Sequence, residues 1–163
     1  MIRPIVLWPD PVLRAVCAPV TVFDDALTAL TDDMLETMYD ASGRGLAAPQ
    51  IGVTRRVFVM DVTWKDGAPD PWICINPAII AASADQRAET EGCLSIPDLP
   101  VQVTRPDTLT LSWQDLTGAA HRAMLSGFAA TCAQHELDHL NGVTLFDHMS
   151  PDQRATFEAE VLP

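Results

Sequence analysis

The run His135-Glu136-Leu137-Asp138-His139 sets two imidazoles four residues apart, with a carboxylate beside the first. On an α-helix, positions i and i+4 stack on one face, so both rings can address a single metal ion. Glu136 stands to the side of that face and can reach a water on the metal rather than the metal itself. The competing reading is two core histidines bonded to backbone groups. That reading buries two neutral imidazoles side by side, which is costly to satisfy. Two histidines do not complete a catalytic site, which generally takes three protein ligands and one open position. A carboxylate or a thiolate elsewhere must supply the third. Cys132 lies on the same helical line, but ligands spread from 132 to 139 span about 10 Å at roughly 1.5 Å per residue, too far for one ion. Cys93, in Glu91-Gly92-Cys93-Leu94-Ser95, follows a glycine that permits close backbone approach and is the better candidate. Cys132 is then expected to pack as a small hydrophobe. A mixed sulfur and nitrogen set suits Zn or Fe(II) and excludes Mg or Ca.

A third segment, Gly43-Arg44-Gly45-Leu46-Ala47-Ala48-Pro49-Gln50, is ambiguous alone and reads equally as a helix stop and turn. No strand is predicted before its glycines, so a dinucleotide-binding loop is a poor reading. Together, Gly43 to Gln50, Glu91 to Ser95 and Gln134 to Gly142 resemble the three signature motifs of the peptide deformylase family, G-x-G-x-A-A-P-Q, E-G-C-L-S and Q-H-E-x-D-H-L-x-G. The resemblance runs from about Ile5 to Pro151.

That resemblance implies a metal-dependent hydrolase that removes the formyl group from the N-terminal methionine of newly made polypeptides and releases formate. It implies Cys93, His135 and His139 as ligands of one divalent ion, natively Fe(II), with Zn, Ni or Co able to substitute. Glu136 would act as general base and then acid. The Gln50 side chain and the backbone N–H of Leu94 would hold the formyl oxygen, and Gly45 would offer backbone hydrogen bonds to an extended peptide. The motif His-Glu-x-x-His alone would also suit a zinc endopeptidase, but a thiolate ligand makes that the lesser reading. A metal amidase acting on another N-formyl or N-acyl substrate is the alternative, and two departures keep it in view. Arg44 occupies a position that is commonly aliphatic in the family, and Asp98-Leu99-Pro100 stands where the family often has an arginine. The methionine side chain is expected in a pocket beside the metal lined by Phe128, Thr131 and Cys132, with the Thr131 hydroxyl adding polarity. Arg44 is expected either at the pocket rim, receiving substrate carbonyls or an acidic side chain, or in solvent.

The metal-bearing helix is predicted from about Gly127 to Asn141, with Gly142 as its stop. Phe128, Cys132, His135 and His139 form one stripe, and Ala130, Ala133, Leu137 and Leu140 fall almost opposite, so the helix is buried between layers. Asp138 points away from the ligand face and is expected to pair with Arg105, since a buried carboxylate needs a partner. Asp24 or Asp25 caps an earlier helix with Leu27, Leu30, Met34 and Met38 at 3–4 spacing, broken by Gly43 and Gly45. Strands are predicted at 56–61, 72–76, 78–82 and 108–115, the last turning at Thr117-Gly118 into a partner at 119–125. This order argues an α+β fold, mostly antiparallel small sheets around the buried central helix.

Length and charge narrow the remainder. A chain of 163 residues fits one catalytic domain, 1–163. Its 22 acidic against 10 basic side chains, formal net charge −12, argue against nucleic-acid binding and against an anionic lipid surface. No apolar run reaches a membrane span, and the opening residues lack the form of a signal peptide. Cys17, Cys74, Cys93 and Cys132 are expected as free thiols in the cytoplasm. Ser150 and Gln153 form a capping box for a last, acidic helix unsuited to docking on ribosomal RNA.

Overall fold

Helix α1 (Asp25–Asp40) starts where Asp24 accepts the Leu27 N–H at 3.0 Å. Its buried face, Leu27, Leu30, Met34 and Met38, is the predicted one, and each such side chain contributes roughly 1.5–3 kcal/mol of transfer free energy. The computed structural model describes residues 1–161; Leu162 and Pro163, the last positions of the expected 1–163 domain, lie outside the described residues. Seven strands follow among them: β1 (Gly45–Ala47), β2 (Val57–Met60), β3 (Trp72–Ala82), β4 (Gln86–Cys93), β5 (Ile96–Pro106), β6 (Thr108–Gln114) and β7 (Ala120–Ser126). Helices α2 (Gly127–Leu140) and α3 (Pro151–Val161) close the order. No helix is long and apolar enough to cross a membrane.

Strands β1-β2-β3-β6-β7 form one antiparallel sheet, and β4-β5 form a separate two-stranded one. The larger sheet is covered on both faces near β2, whose four residues are all buried. Val57 and Val59 pack with α1, whereas Phe58 and Met60 pack with Ala130, Cys132, Ala133, Leu137 and Leu140 of α2. A strand between two layers reads as an unbroken apolar run, which is why 56–61 carries no alternation. On its other side α2 meets the β4-β5 hairpin through polar side chains. The expected fold class, with the motif-bearing helix buried between sheets, is the one observed.

Three local expectations need correction. The break predicted at Asn76-Pro77 is absent, because β3 runs unbroken from Trp72 to Ala82 with a register shift between Ile75 and Ala78. Asn76 sits at φ 50, and its side chain replaces ladder bonds, donating to Val20 O at 2.9 Å and Gln114 Oε1 at 2.8 Å. The bulge thereby absorbs the N–H that proline lacks. Helix α1 ends at Asp40, before either glycine, and Ser42 at φ 56 takes the left-handed position. Ser42 N–H donates to Tyr39 O and Gly43 N–H to Met38 O, the paired bonds of a Schellman end. The β4-β5 hairpin was not predicted at all. Its first strand, Gln-Arg-Ala-Glu-Thr-Glu-Gly-Cys, has no apolar alternation to announce it.

Helix α2 ends as predicted, with Asn141 as cap and Gly142 at φ 74. A Cβ on Gly142 would collide with the backbone carbonyl of Arg14, so glycine is required there twice over. Arg56 donates to Leu140 O at 3.1 Å and to Asn141 Oδ1 at 2.9 Å, and Cys17 N–H donates to Leu140 O at 2.9 Å. These donors satisfy carbonyls that every helix end leaves open, and the Arg56 charge complements the dipole.

Candidate active site

The i, i+4 spacing on α2 brings the His135 and His139 rings to 5.0 Å between centroids, both buried. The end of β4 delivers Cys93, whose Sγ lies 3.4 Å from His139 Nε2. One ligand atom from each of Cys93, His135 and His139 falls within 4.8 Å of the others, so the predicted trio is assembled and Cys132 is outside it. Cys132 packs in the core, its Sγ donating to Arg44 O at 3.6 Å.

Charge is arranged to keep that trio ready for an ion. Burial opposes a Cys93 thiolate, but His139 and His135 more than offset it and bring the thiol down to about 5. His135 Nδ1 lies 2.9 Å from Glu91 Oε1. Burial pushes the Glu91 carboxyl up, but His135 and Arg105 outweigh it, so Glu91 is an acceptor and Nδ1 carries the proton. The other ring nitrogen of His135 is thus free to ligate. Arg105 grips Glu91 with two bonds, at 2.7 and 3.0 Å, and reaches Asp138 at 2.8 Å. Asp138 also meets His148 Nε2 at 2.8 Å. The expected Arg105–Asp138 pair is present, but it is one link in a longer chain that starts at His135.

The remaining site residues face a cleft of about 590 Å³. Glu136 is buried at its floor, and its Oε1 has no hydrogen-bond partner among the described residues. Burial raises its pKa, which the two imidazoles only partly offset. Gly45 presses against it: an added Cβ would lie 2.5 Å from Glu136 Oε2 and 2.8 Å from Cys132 Sγ. Gln50 accepts Ala47 N–H at 3.0 Å, and its Nε2 donates to Ser95 Oγ at 3.1 Å while standing 3.7 Å from Cys93 Sγ. Leu94 occupies the turn between β4 and β5, directly after Cys93.

Arg44, Phe128, Thr131 and Cys132 all line the cleft. Phe128 shares the helical line of the histidines but is 47 % exposed, because the first turn of α2 reaches the cleft mouth rather than the core. The Thr131 hydroxyl donates to Gly127 O at 3.4 Å, back to the helix's own first turn. Arg44 is not free in solvent: its Cζ stands 5.1 Å from the Phe128 ring centroid, and Nη2 is 3.7 Å from Asp66. Two contributors escaped the sequence reading. Glu91 carries no signal of its own in the sequence beyond the strand rule that residues i and i+2 share a face, which puts it beside Cys93. Lys65, at the cleft mouth, had no local signal.

The donor set fits a divalent transition metal: a buried thiolate, two imidazoles, one of them oriented by a carboxylate, and His139 Nδ1 and Glu136 Oε1 without partners among the described residues. Residues 2–155 match the family described as Polypeptide deformylase. A peptide deformylase of Rhizobium meliloti strain 1021 is 47% identical over 153 residues, covering 94% of this chain and 88% of that protein. The crystal structure of a peptide deformylase from Legionella pneumophila superposes with a TM-score of 0.93 at 38% identity, covering 99% of this chain and 94% of that one. Peptide deformylase from Thermotoga maritima gives a TM-score of 0.86 at 42% identity, covering 93% and 99% respectively. With the three-ligand cluster, the buried carboxylate and these likenesses in agreement, the chain belongs to the polypeptide deformylase family.

Proposed function

We propose that this chain is a cytoplasmic hydrolase that removes the formyl group from the N-terminal methionine of newly made polypeptides. The observation that carries the reading is Glu136: a buried carboxylate oxygen without a partner among the described residues, next to three potential ligand atoms gathered within 4.8 Å, at the floor of an open cleft. A purely structural or storage site has no use for such a group.

Cys93, His135 and His139 would hold one divalent ion, natively Fe(II), with Zn, Ni or Co as substitutes. When bound, such an ion polarises a carbonyl and brings the pKa of a water towards 7. The residues of the chain do the rest. Glu136, with its pKa raised by burial, takes a proton from the attacking water at Oε1 as the water oxygen bonds to the formyl carbon. Gln50 Nε2 and the Leu94 N–H donate to the formyl oxygen as charge develops there, each such donor being worth about 3–4 kcal/mol. Glu136 then gives its proton to the amine nitrogen as the C–N bond breaks, leaving formate and a free N-terminus. β1 is an edge strand of the larger sheet and begins at Gly45 in the cleft, so an extended peptide can pair with its open side. Phe128, Thr131 and Cys132 would take the methionine side chain.

On α3 the one cation, Arg154, is tied to Asp147 and Glu158, so we assign that helix no contact with ribosomal RNA. The second reading, an amidase for another N-formyl or N-acyl group, is favoured only by the altered rim at Arg44 and Pro100. Formate release from formyl-Met-Ala by protein loaded with Fe(II) or Ni(II) decides between them. Cleavage of acetyl-Met-Ala but not of the formyl peptide would reject the first reading.

A further inference from the structure

Arg44 and Lys65 bring two positive charges to the mouth of the cleft in a chain of formal net charge −12. Contacts hold both near that mouth. Asp61 is fully buried and accepts the N–H groups of Thr63 and Trp64 at 3.2 Å and of Asp70 at 2.9 Å, folding the connection between β2 and β3 onto itself. Trp64 Nε1 donates to Gly43 O at 3.0 Å, tying that connection to the segment that bears Arg44. The Tyr39 ring meets Trp64 edge-on at 5.2 Å, and Lys65 Nζ stands 5.6 Å from the Trp64 ring centroid.

Two observations point to an anion. Arg44 Nε is buried and has no acceptor among the described residues, a costly state for a charged donor. Lys65 forms no ion pair among the described residues. Among the described residues the one carboxylate paired with Arg44 is Asp66, at 3.7 Å and with its side chain 85 % exposed, well beyond the roughly 2.7–2.9 Å of a charge-assisted bond and easily exchanged. Of the acids that line the cleft, Glu91 is engaged by Arg105 and His135, Glu136 is on the floor, and Asp98 is exposed.

We propose that Arg44 and Lys65 form a carboxylate-binding lip that favours formylated peptides carrying a carboxylate shortly after the methionine. The carboxylate is either an Asp or Glu side chain of a growing polypeptide or the terminal carboxylate of a short formyl peptide. The proposal rests on the deformylase reading above, and its test separates the two. Substrates are formyl-Met-Ala-Ser amide, formyl-Met-Asp-Ser amide and formyl-Met-Ala-Ser with a free C-terminus. Affinity of the unformylated Met-Ala-Ser amide, Met-Asp-Ser amide and Met-Ala-Ser acid is measured in parallel by calorimetry, without turnover. The expected result is a preference of about threefold to tenfold in kcat/KM and in affinity for at least one carboxylate-bearing peptide over the neutral amide. Raising the ionic strength shrinks it, and it collapses to unity in Arg44→Ile/Lys65→Gln. Preference for the aspartate peptide assigns the lip to side chains of long chains; preference for the free acid assigns it to short peptides. Equal affinities in the unsubstituted protein, or a preference that survives the double substitution, overturns the lip. No formate from any formyl peptide, with the affinity preference intact, overturns the deformylase reading and leaves the lip standing.

Discussion

Replacing Gly45 by alanine adds a single methyl group where the structure has no room for one. The new carbon would lie 2.5 Å from Glu136 Oε2, 2.8 Å from Cys132 Sγ and 3.0 Å from Glu136 Cδ. Ordinary contact begins near about 3.5 Å, so β1 and α2 must separate by roughly 0.5–1 Å or Glu136 must turn away. Cys132 and β1 are both buried in the core, which leaves the carboxylate as the part that yields. Overpacking of this kind costs about 1–3 kcal/mol. For a chain of this size that lowers Tm by about 2–12 °C. A catalytic carboxylate misplaced by about 1 Å costs on the order of 100-fold in rate, so the loss in kcat should far exceed the loss in stability. Gly92→Ala is the control, because a Cβ there meets nothing within 4 Å. Thermal unfolding, metal content and formate release measured on both variants test the reasoning. Gly45→Ala with the Tm and kcat of the unsubstituted protein would refute it, as would an equal loss in Gly92→Ala.

Other substitutions probe the remaining links. Glu136→Gln should keep its metal and lose turnover; loss of metal would make Glu136 a ligand instead. Arg105→Glu leaves Glu91 and Asp138 without their cation in a place where Arg105 is only 7 % exposed, so stability should fall by about 3–5 kcal/mol in denaturant unfolding and metal retention with it; no change in either contradicts the relay. Tyr39 is the one tyrosine, and burial together with its bond to Asp61 pushes its pKa up to about 12. Its contribution to stability is therefore present below about pH 10 and is lost as pH rises from about 10 to about 12. Phenolate absorbance should show this as a higher midpoint in the folded than in the denatured protein, and equal midpoints would remove the Tyr39–Asp61 bond from the account.

What the sequence disclosed followed physical rules of short range. Helix α2 was legible because a 3.6-residue period carried both its packing stripe and its imidazoles, and α1 and the β6-β7 hairpin because their apolar residues recur at the period of their element. Asp24 and Gly142 marked ends through backbone chemistry that any chain must satisfy. The β4-β5 hairpin was illegible because its inward side chains on β4 are Glu91 and Cys93, whose partners lie 44 and 46 positions away at His135 and His139. Local apolar pattern cannot register a strand held by charge and by a ligand cluster. The continuity of β3 depended on Asn76 finding Val20 and Gln114, again remote in the chain. Phe128 lines the cleft as its helical phase placed it, but its 47 % exposure was not legible, because phase does not say where a helix leaves its sheet.

Because the β4-β5 hairpin is a sheet of its own, the proposed ion would also be a fastener. Besides the cluster of Ile96, Val101 and Val103 with Trp8, Leu13, Leu145 and Phe146, its hold on the molecule is polar: Cys93 beside His139, Glu91 on His135, Arg105 on Asp138. Binding free energy drawn from such ligands is folding free energy. Chelation should therefore loosen one cooperative unit ahead of the rest. Amide hydrogens at 86–106 would exchange faster in the stripped protein while those of β2, β3 and β6 keep their protection, so that metal occupancy is written as local opening before any global unfolding is seen.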